Sequence, residues 1–319
     1  MIEGQHKRYA MRQELARVRR LARRLEQAGP EAPLPPPLPS GRIVDVPGRG
    51  EMFVRETPGR PGGPTILLMH GWTASADLNW FRVYDAMSAI GRVIAVDHRG
   101  HGRGIRSEER FSLEAAADDA ADLLRHLRAD PAIVVGYSMG GPISMLLWHR
   151  HPELVSGLVF QATALEWRAT RRERLLWKFM AIVEYSMRLG APRRMIDRFL
   201  REAIELCPDL APYRGWIRGE LRRGDPEAIA DAGRALGNYD ARGFAGDVDV
   251  PASVVVTTKD RLVRPRKQRQ LASAIPDAAV FELRGDHDAC LLNPDDFRAV
   301  TEVAVLSVIE RGAQRRRSA

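Results

Sequence analysis

The sequence predicts an α/β protein: a mostly parallel central sheet flanked by helices, with an inserted helical cap and an N-terminal helical arm. Three observations lead there. From Arg42 onward, short apolar runs alternate with segments whose apolar residues recur every three or four positions, the pattern of buried strands joined by covering helices. After Gln161 the alternation stops and helical periodicity runs to about Leu236, which marks an insertion. Ahead of all this, Met11, Leu15, Val18, Ala22 and Leu25 form a narrow seam with spacings of three and four.

That seam predicts an amphipathic helix over about Gln5 to Gln27, stopped by Gly29 and Pro30. The proline-rich stretch Pro30–Pro39 reads as an extended, semi-rigid spacer. Strands are expected at Ile43–Val46, Met52–Arg55, Thr65–Met69, Val93–Val96, Ile133–Gly136 and Gly157–Gln161. Between them, Ser112 caps a helix marked by Leu113, Ala117, Ala120, Leu124 and Leu127, and a second helix covers Met139–His149. The insertion begins with a helix over Arg168–Arg188, ended by Gly190 and Pro192. Alternation resumes with strand Ala252–Thr257, a helix after Pro265, strand Ala279–Leu283 and a last helix from about Pro294 to Glu310. The expected segments are therefore 1–40 (arm and spacer), 41–163 (first part of the core), 164–245 (cap), 246–310 (second part of the core) and 311–319 (basic tail).

With 319 residues, 45% of them apolar and 28% charged, the chain is long enough for one large domain carrying an insertion. Its formal charge of +8 is concentrated at the ends. Residues 1–28 hold eight Lys/Arg against three Glu, and Arg311, Arg315, Arg316 and Arg317 add four more positive charges. The body between is close to neutral, which argues against a nucleic-acid partner. Cys207 and Cys290 are too few for a disulfide scaffold and lack metal-site spacing, so a reduced, cytoplasmic setting is expected, with no metal and no cofactor. No apolar run reaches the roughly 18 residues of a membrane span.

The chemistry concentrates in three places. Gly136-Tyr137-Ser138-Met139-Gly140 matches G-x-S-x-G directly after the run Ile133-Val134-Val135 and at the start of a helix, where a tight strand-to-helix turn exposes a serine. Serine needs a base to take its proton and a carboxylate to orient that base. Asp260, in Thr257-Thr258-Lys259-Asp260-Arg261, follows a strand and so lies on a loop at the carboxyl edge of the sheet, where ligands bind in such folds. His287, in Arg284-Gly285-Asp286-His287-Asp288, follows the next strand and lies at the same edge. Asp286 and Asp288 read as solvated or turn-forming neighbours.

Attack on an acyl carbon creates an oxyanion that needs two preorganised donors. One is the N–H of Met139, the residue after the serine; the other is assigned to Trp72 N–H in His70-Gly71-Trp72-Thr73, the loop after the third strand. The side chains of Met139 and Trp72 are expected to line the pocket. The run Asp97-His98-Arg99-Gly100-His101-Gly102 holds metal-binding residue types, but its glycines suit a tight loop whose polar groups bond locally.

Taken together, HGWT, DHRGHG, GYSMGG, TTKDRLV and GDHDA resemble the α/β-hydrolase superfamily, in the branch with a helical cap after the sixth core strand. The resemblance spans about Arg42 to Glu310. It implies Ser138 as nucleophile, His287 as base, Asp260 as orienting acid, and Trp72 with Met139 as oxyanion donors. Members with similar motifs include esterases, lipases, lactonases, carbon–carbon bond hydrolases, haloperoxidase-like perhydrolases and acyltransferases. Ser138 argues against dehalogenases and epoxide hydrolases, which carry Asp there.

The expected activity is hydrolysis of a small-molecule carboxylic ester. Acyl transfer or perhydrolysis on the same triad is the second reading, and a non-catalytic binding module the third. Leu175, Leu176, Trp177, Phe179, Met180, Val183, Tyr185 and Met187 in the cap suit either a lipophilic acyl pocket or helix packing. The arm over residues 5–27 suits peripheral contact with an anionic membrane, pairing with another helix, or a solvated tail.

Overall fold

In the computed structural model, which describes residues 34–168 and 192–318, every apolar run singled out as a strand is one. The arm helix and, beyond Arg168, the expected helix over Arg168–Arg188, with its apolar residues from Leu175 to Met187, lie outside the described residues, as does the spacer before Leu34. The chain divides into Met1–Leu34 and Pro35–Ala319, and all elements below belong to the second unit.

The strands are β1 (Gly41–Val46), β2 (Gly50–Thr57), β3 (Thr65–Met69), β4 (Arg92–Val96), β5 (Ala132–Tyr137), β6 (Val155–Gln161), β7 (Ala252–Thr257) and β8 (Ala279–Leu283). They form one sheet in the order β1-β2-β4-β3-β5-β6-β7-β8, antiparallel at β1/β2 and β2/β4 and parallel elsewhere. Burial follows position: β5 and β7 are buried throughout, as strands covered on both faces must be, whereas the edge strands β1 and β8 mix exposed and covered residues.

Alternate residues of each inner strand enter different cores. Leu67, Met69, Ile94, Val134, Leu158 and Val254 pack with helices α3 (Leu113–Leu127) and α4 (Gly140–Arg150). Ile66, Leu68, Val93, Val135, Val159 and Val255 pack on the other face. There they meet α1 (Ala76–Trp80), α2 (Tyr84–Ile90) and the long final helix. Ser112 caps α3 as its position implied, accepting from Ala115 N–H at 3.0 Å.

Two expectations need correction. The segment after β3 holds α1 and α2, which the sequence pattern did not announce; Ser75 caps α1 by accepting from Leu78 N–H at 3.1 Å. The last helix does not stop at Glu310, and no separate basic tail begins at Arg311. Following α8 (Pro265–Ala274) and α9 (Ala289–Leu292), helix α10 runs over Pro294–Ser318. Arg311 donates to the carbonyls of Ala252 and Asp277 and to Ser253 Oγ, and Arg315 donates to the carbonyl of Asp249, so these cations fasten the helix to the sheet.

The insertion between β6 and β7 carries α5 (Pro192–Leu206), α6 (Arg214–Glu220) and α7 (Pro226–Asn238). Asp225 caps α7 and Pro226 occupies its first turn, where a missing N–H costs nothing. An antiparallel bridge between Glu166 and Asp240 closes the neck of the insertion.

Candidate active site

Parallel register brings the carboxyl ends of the central strands level, Met69 opposite Gly136 and Gly136 opposite Phe160, so the loops that leave them share one edge. Ser138 sits in the turn between β5 and α4 with φ of 52°, a left-handed conformation that is strained for a residue with a side chain. Its neighbours must be small: a Cβ on Gly136 would meet the Gly140 carbonyl at 2.4 Å, and one on Gly140 would meet the Met69 carbonyl at 2.1 Å. The turn is held by Ser138 N–H on the Gln161 carbonyl, 2.9 Å away.

The loop after β8 brings His287 to the serine, with Nε2 at 3.0 Å from Ser138 Oγ. On its other side, Nδ1 lies 2.9 Å from Asp260 Oδ2. Since a carboxylate only accepts, Nδ1 carries the proton and Nε2 is the acceptor for the serine hydroxyl. Asp260 is itself fixed. Its Oδ1 accepts from the backbone of Leu262 (2.9 Å) and Val263 (2.7 Å), and its Oδ2 also accepts from Thr257 Oγ1 (2.8 Å) and Gln268 Nε2 (3.2 Å). The buried carboxylate thus has the partners its charge requires.

A cleft of about 380 Å³ opens over these residues, walled by Trp72, Leu78, Leu221, Leu262, Cys290 and Leu291. Trp72 lines it as expected. The Met139 side chain does not: it is fully buried in the core under α3 and α4, a correction to the expected pocket role. Gly71 N–H, between β3 and Trp72, is taken by Asn79 Oδ1 at 2.9 Å. Burial pushes the Cys290 thiol up to about 12, so it stays protonated near neutral pH and offers no competing nucleophile.

Several contributors escaped sequence reasoning. Tyr137 occupies the variable position before the serine and donates its hydroxyl to the His287 carbonyl at 2.6 Å. Asp286 accepts from Arg261 N–H and Nε and from His287 N–H, joining the Asp260 and His287 loops. Glu220, at the end of α6, accepts from Ser75 Oγ at 2.6 Å and faces Arg103 at 3.3 Å. Arg103 also pairs with Asp77 (2.8 Å) and Asp97 (3.1 Å). No local motif marks such residues, since their partners lie far away in sequence.

The Asp97–Gly102 run bonds inside the protein. His98 N–H donates to His70 Nε2 at 3.0 Å, His98 Nε2 lies 3.1 Å from the His70 carbonyl, and His101 Nδ1 lies 3.1 Å from the Arg99 carbonyl. Among the described residues no group of His, Cys, Asp and Glu is arranged to hold a metal ion, and no helix is long and apolar enough to cross a membrane.

Residues 64–206 match a family model described as the alpha/beta hydrolase fold. The chain is 32% identical over 248 residues to a pimeloyl-[acyl-carrier protein] methyl ester esterase of Chromobacterium violaceum, covering 75% of this chain and 94% of that one. It is 36% identical over 249 residues to a 2-(acetamidomethylene)succinate hydrolase of Mesorhizobium japonicum, covering 77% and 84% respectively. Among solved structures, the enol-lactonase from Burkholderia xenovorans superposes with a TM-score of 0.71 at 23% identity, covering 83% of this chain and all of that one, a likeness of fold.

Proposed function

This chain belongs to the α/β-hydrolase family and is an enzyme of it, and from that premise we propose that it is a serine hydrolase cleaving a carboxylic ester or related acyl compound through an acyl-enzyme on Ser138. The observation that carries the reading is the unbroken chain Ser138 Oγ, His287 Nε2, His287 Nδ1, Asp260 Oδ2, with links of 3.0 and 2.9 Å beneath an open cleft.

In this reading His287 takes the Ser138 proton as Oγ bonds to the acyl carbon, and the resulting imidazolium is stabilised by Asp260. The oxyanion is received by the N–H groups of Trp72 and Met139. Collapse of the tetrahedral intermediate expels the alcohol, protonated by His287. Water then attacks the acyl-enzyme with His287 again as base, releasing the acid and restoring Ser138. The names of the relatives support both ester and amide-like acyl substrates, and the cleft has room for a medium-sized acyl group.

The test is fluorophosphonate labelling with hydrolysis of a p-nitrophenyl ester series, comparing the wild-type protein with Ser138→Ala and His287→Ala. Labelling and turnover by wild type alone is the expected result. A folded wild-type protein that neither labels nor turns over any ester would overturn the reading.

A further inference from the structure

The loop after β3 is held by the cap as well as by the core. The Trp72 indole Nε1–H donates to the carbonyl of Ile229 on α7 at 2.7 Å, across 157 positions of sequence. Its six-membered ring lies against Gly233, one helical turn further on: a Cβ at Gly233 would meet Trp72 Cζ2 at 2.6 Å. On the far side of the loop, Ser75 bonds Glu220 at the end of α6, and Asn79 of α1 bonds the Gly71 N–H. Glu220 is buried, and the next residue, Leu221, walls the cleft.

We propose that Trp72 is a positioning residue whose side chain couples the cap to the oxyanion site, so that the seating of α7 sets where the Trp72 N–H points. The proposal rests on the reading of Ser138 as nucleophile and Trp72 N–H as oxyanion donor. The physical reason is rigidity. An indole with a hydrogen bond at one end and a glycine notch under its ring has little freedom, and its backbone N–H is three rotatable bonds from that anchor. A donor displaced by a fraction of an ångström loses strength in the transition state while ground-state binding in the cleft is untouched. Gly233 is the matching half of the device, because any side chain there would push the indole, and the N–H with it.

Trp72→Phe keeps an aromatic wall but removes the Nε1–H donor and the ring edge in the Gly233 notch, while Gly233→Ala leaves the donor in place and fills the notch. For both, kcat on p-nitrophenyl esters is expected to fall by roughly tenfold with KM nearly unchanged, short of the ~10²–10³ that loss of a donor itself costs. Affinity for an alkyl boronic acid, which mimics the tetrahedral oxyanion, should fall in parallel, and affinity for the product carboxylate should not. Thermal melts establish that each variant is folded. An active wild-type enzyme, inactive as Ser138→Ala, whose two variants keep its kcat and boronate affinity would overturn the coupling alone. Absence of wild-type turnover and labelling overturns the nucleophile reading and the coupling with it.

Discussion

The Tyr137 hydroxyl donates to the backbone carbonyl of His287 at 2.6 Å, so the residue beside the serine holds the loop that carries the imidazole facing it. Two loops separated by 149 positions thereby share one strut as well as the Ser138–His287 contact. Tyr137 is buried, its ring edge-on to Phe297 at 5.6 Å, so Phe fits the site. Tyr137→Phe leaves the His287 carbonyl short of a donor and should cost about 1 kcal/mol of stability, read from a denaturant midpoint. Steady-state kinetics should show a several-fold drop in kcat. Unchanged kcat would mean that the other contacts of the loop suffice.

Asp260 offers a second prediction. Asn in its place keeps the shape but can present an N–H to His287 Nδ1, which turns the imidazole to the tautomer unable to accept from Ser138. By analogy with other triads kcat should fall by on the order of 10³–10⁴ while KM changes little. A loss below tenfold in steady-state assays would show that Asp286 or Asp288 takes over the orienting role.

A third concerns acid. His70, His98 and His101 are buried together, with ring centroids 4.1 Å apart for His70 and His98 and 5.6 Å for His70 and His101. Burial, aided by their mutual repulsion when charged, pushes His98 down to about 3 and His70 well below its ordinary value; burial pushes His101 down to about 4. The unfolded chain binds protons at these sites once pH falls below about 6.5, whereas the folded chain refuses them until near 4. Stability contributed by the neutral rings is therefore complete above 6.5 and declines as pH drops toward 4. Melting temperature measured from pH 7 to 5.5, above the range where ordinary carboxylates titrate, should fall steadily; a flat profile contradicts the assignment.

The fourth concerns the buried pair under the neck of the cap. Lys267 Nζ donates to Glu166 Oε1 at 2.8 Å and to the Glu166 carbonyl at 2.9 Å. Lys267→Ala strands the Glu166 carboxylate, and a denaturation curve should show a loss of about 3–5 kcal/mol. Replacing both, with Glu166→Gln and Lys267→Met, should recover most of it. A single variant within 1 kcal/mol of wild type would mean that solvent reaches the carboxylate.

Much of the sheet was legible because burial on two faces selects continuous apolar runs, as in Ile66-Leu67-Leu68-Met69 and Val254-Val255-Val256. Ser138 and Asp260 stood out because each lies just past such a run, and His287 because it lies just past the next strand, at the edge of the sheet. The segment that forms α1 and α2 did not, because its buried positions include Asp77 and Asn79, which read as surface residues until Arg55, Arg103 and Gly71 are brought to them. The end of α10 was misread for the converse reason: a run of arginines looks like a basic tail, but Arg311 finds the carbonyls of Asp277, ahead of β8, and of Ala252 in β7. Met139 was read as cleft-lining from its place in the motif, yet the turn that presents Ser138 carries the next side chain inward.

The Glu166–Asp240 bridge at the neck of the insertion bears on how such a protein can change over evolutionary time. The register by which Phe160 meets Val254 is set by strands that lie outside the insertion. Substrate preference is thereby separable by heredity from the machinery of bond cleavage, except where the cap helices hold the loop after β3. If the Trp72 anchor works as proposed, a new cap must still offer a carbonyl and an open notch to Trp72 and a carboxylate to Ser75, so the inner faces of α6 and α7 are the parts of the cap least free to change.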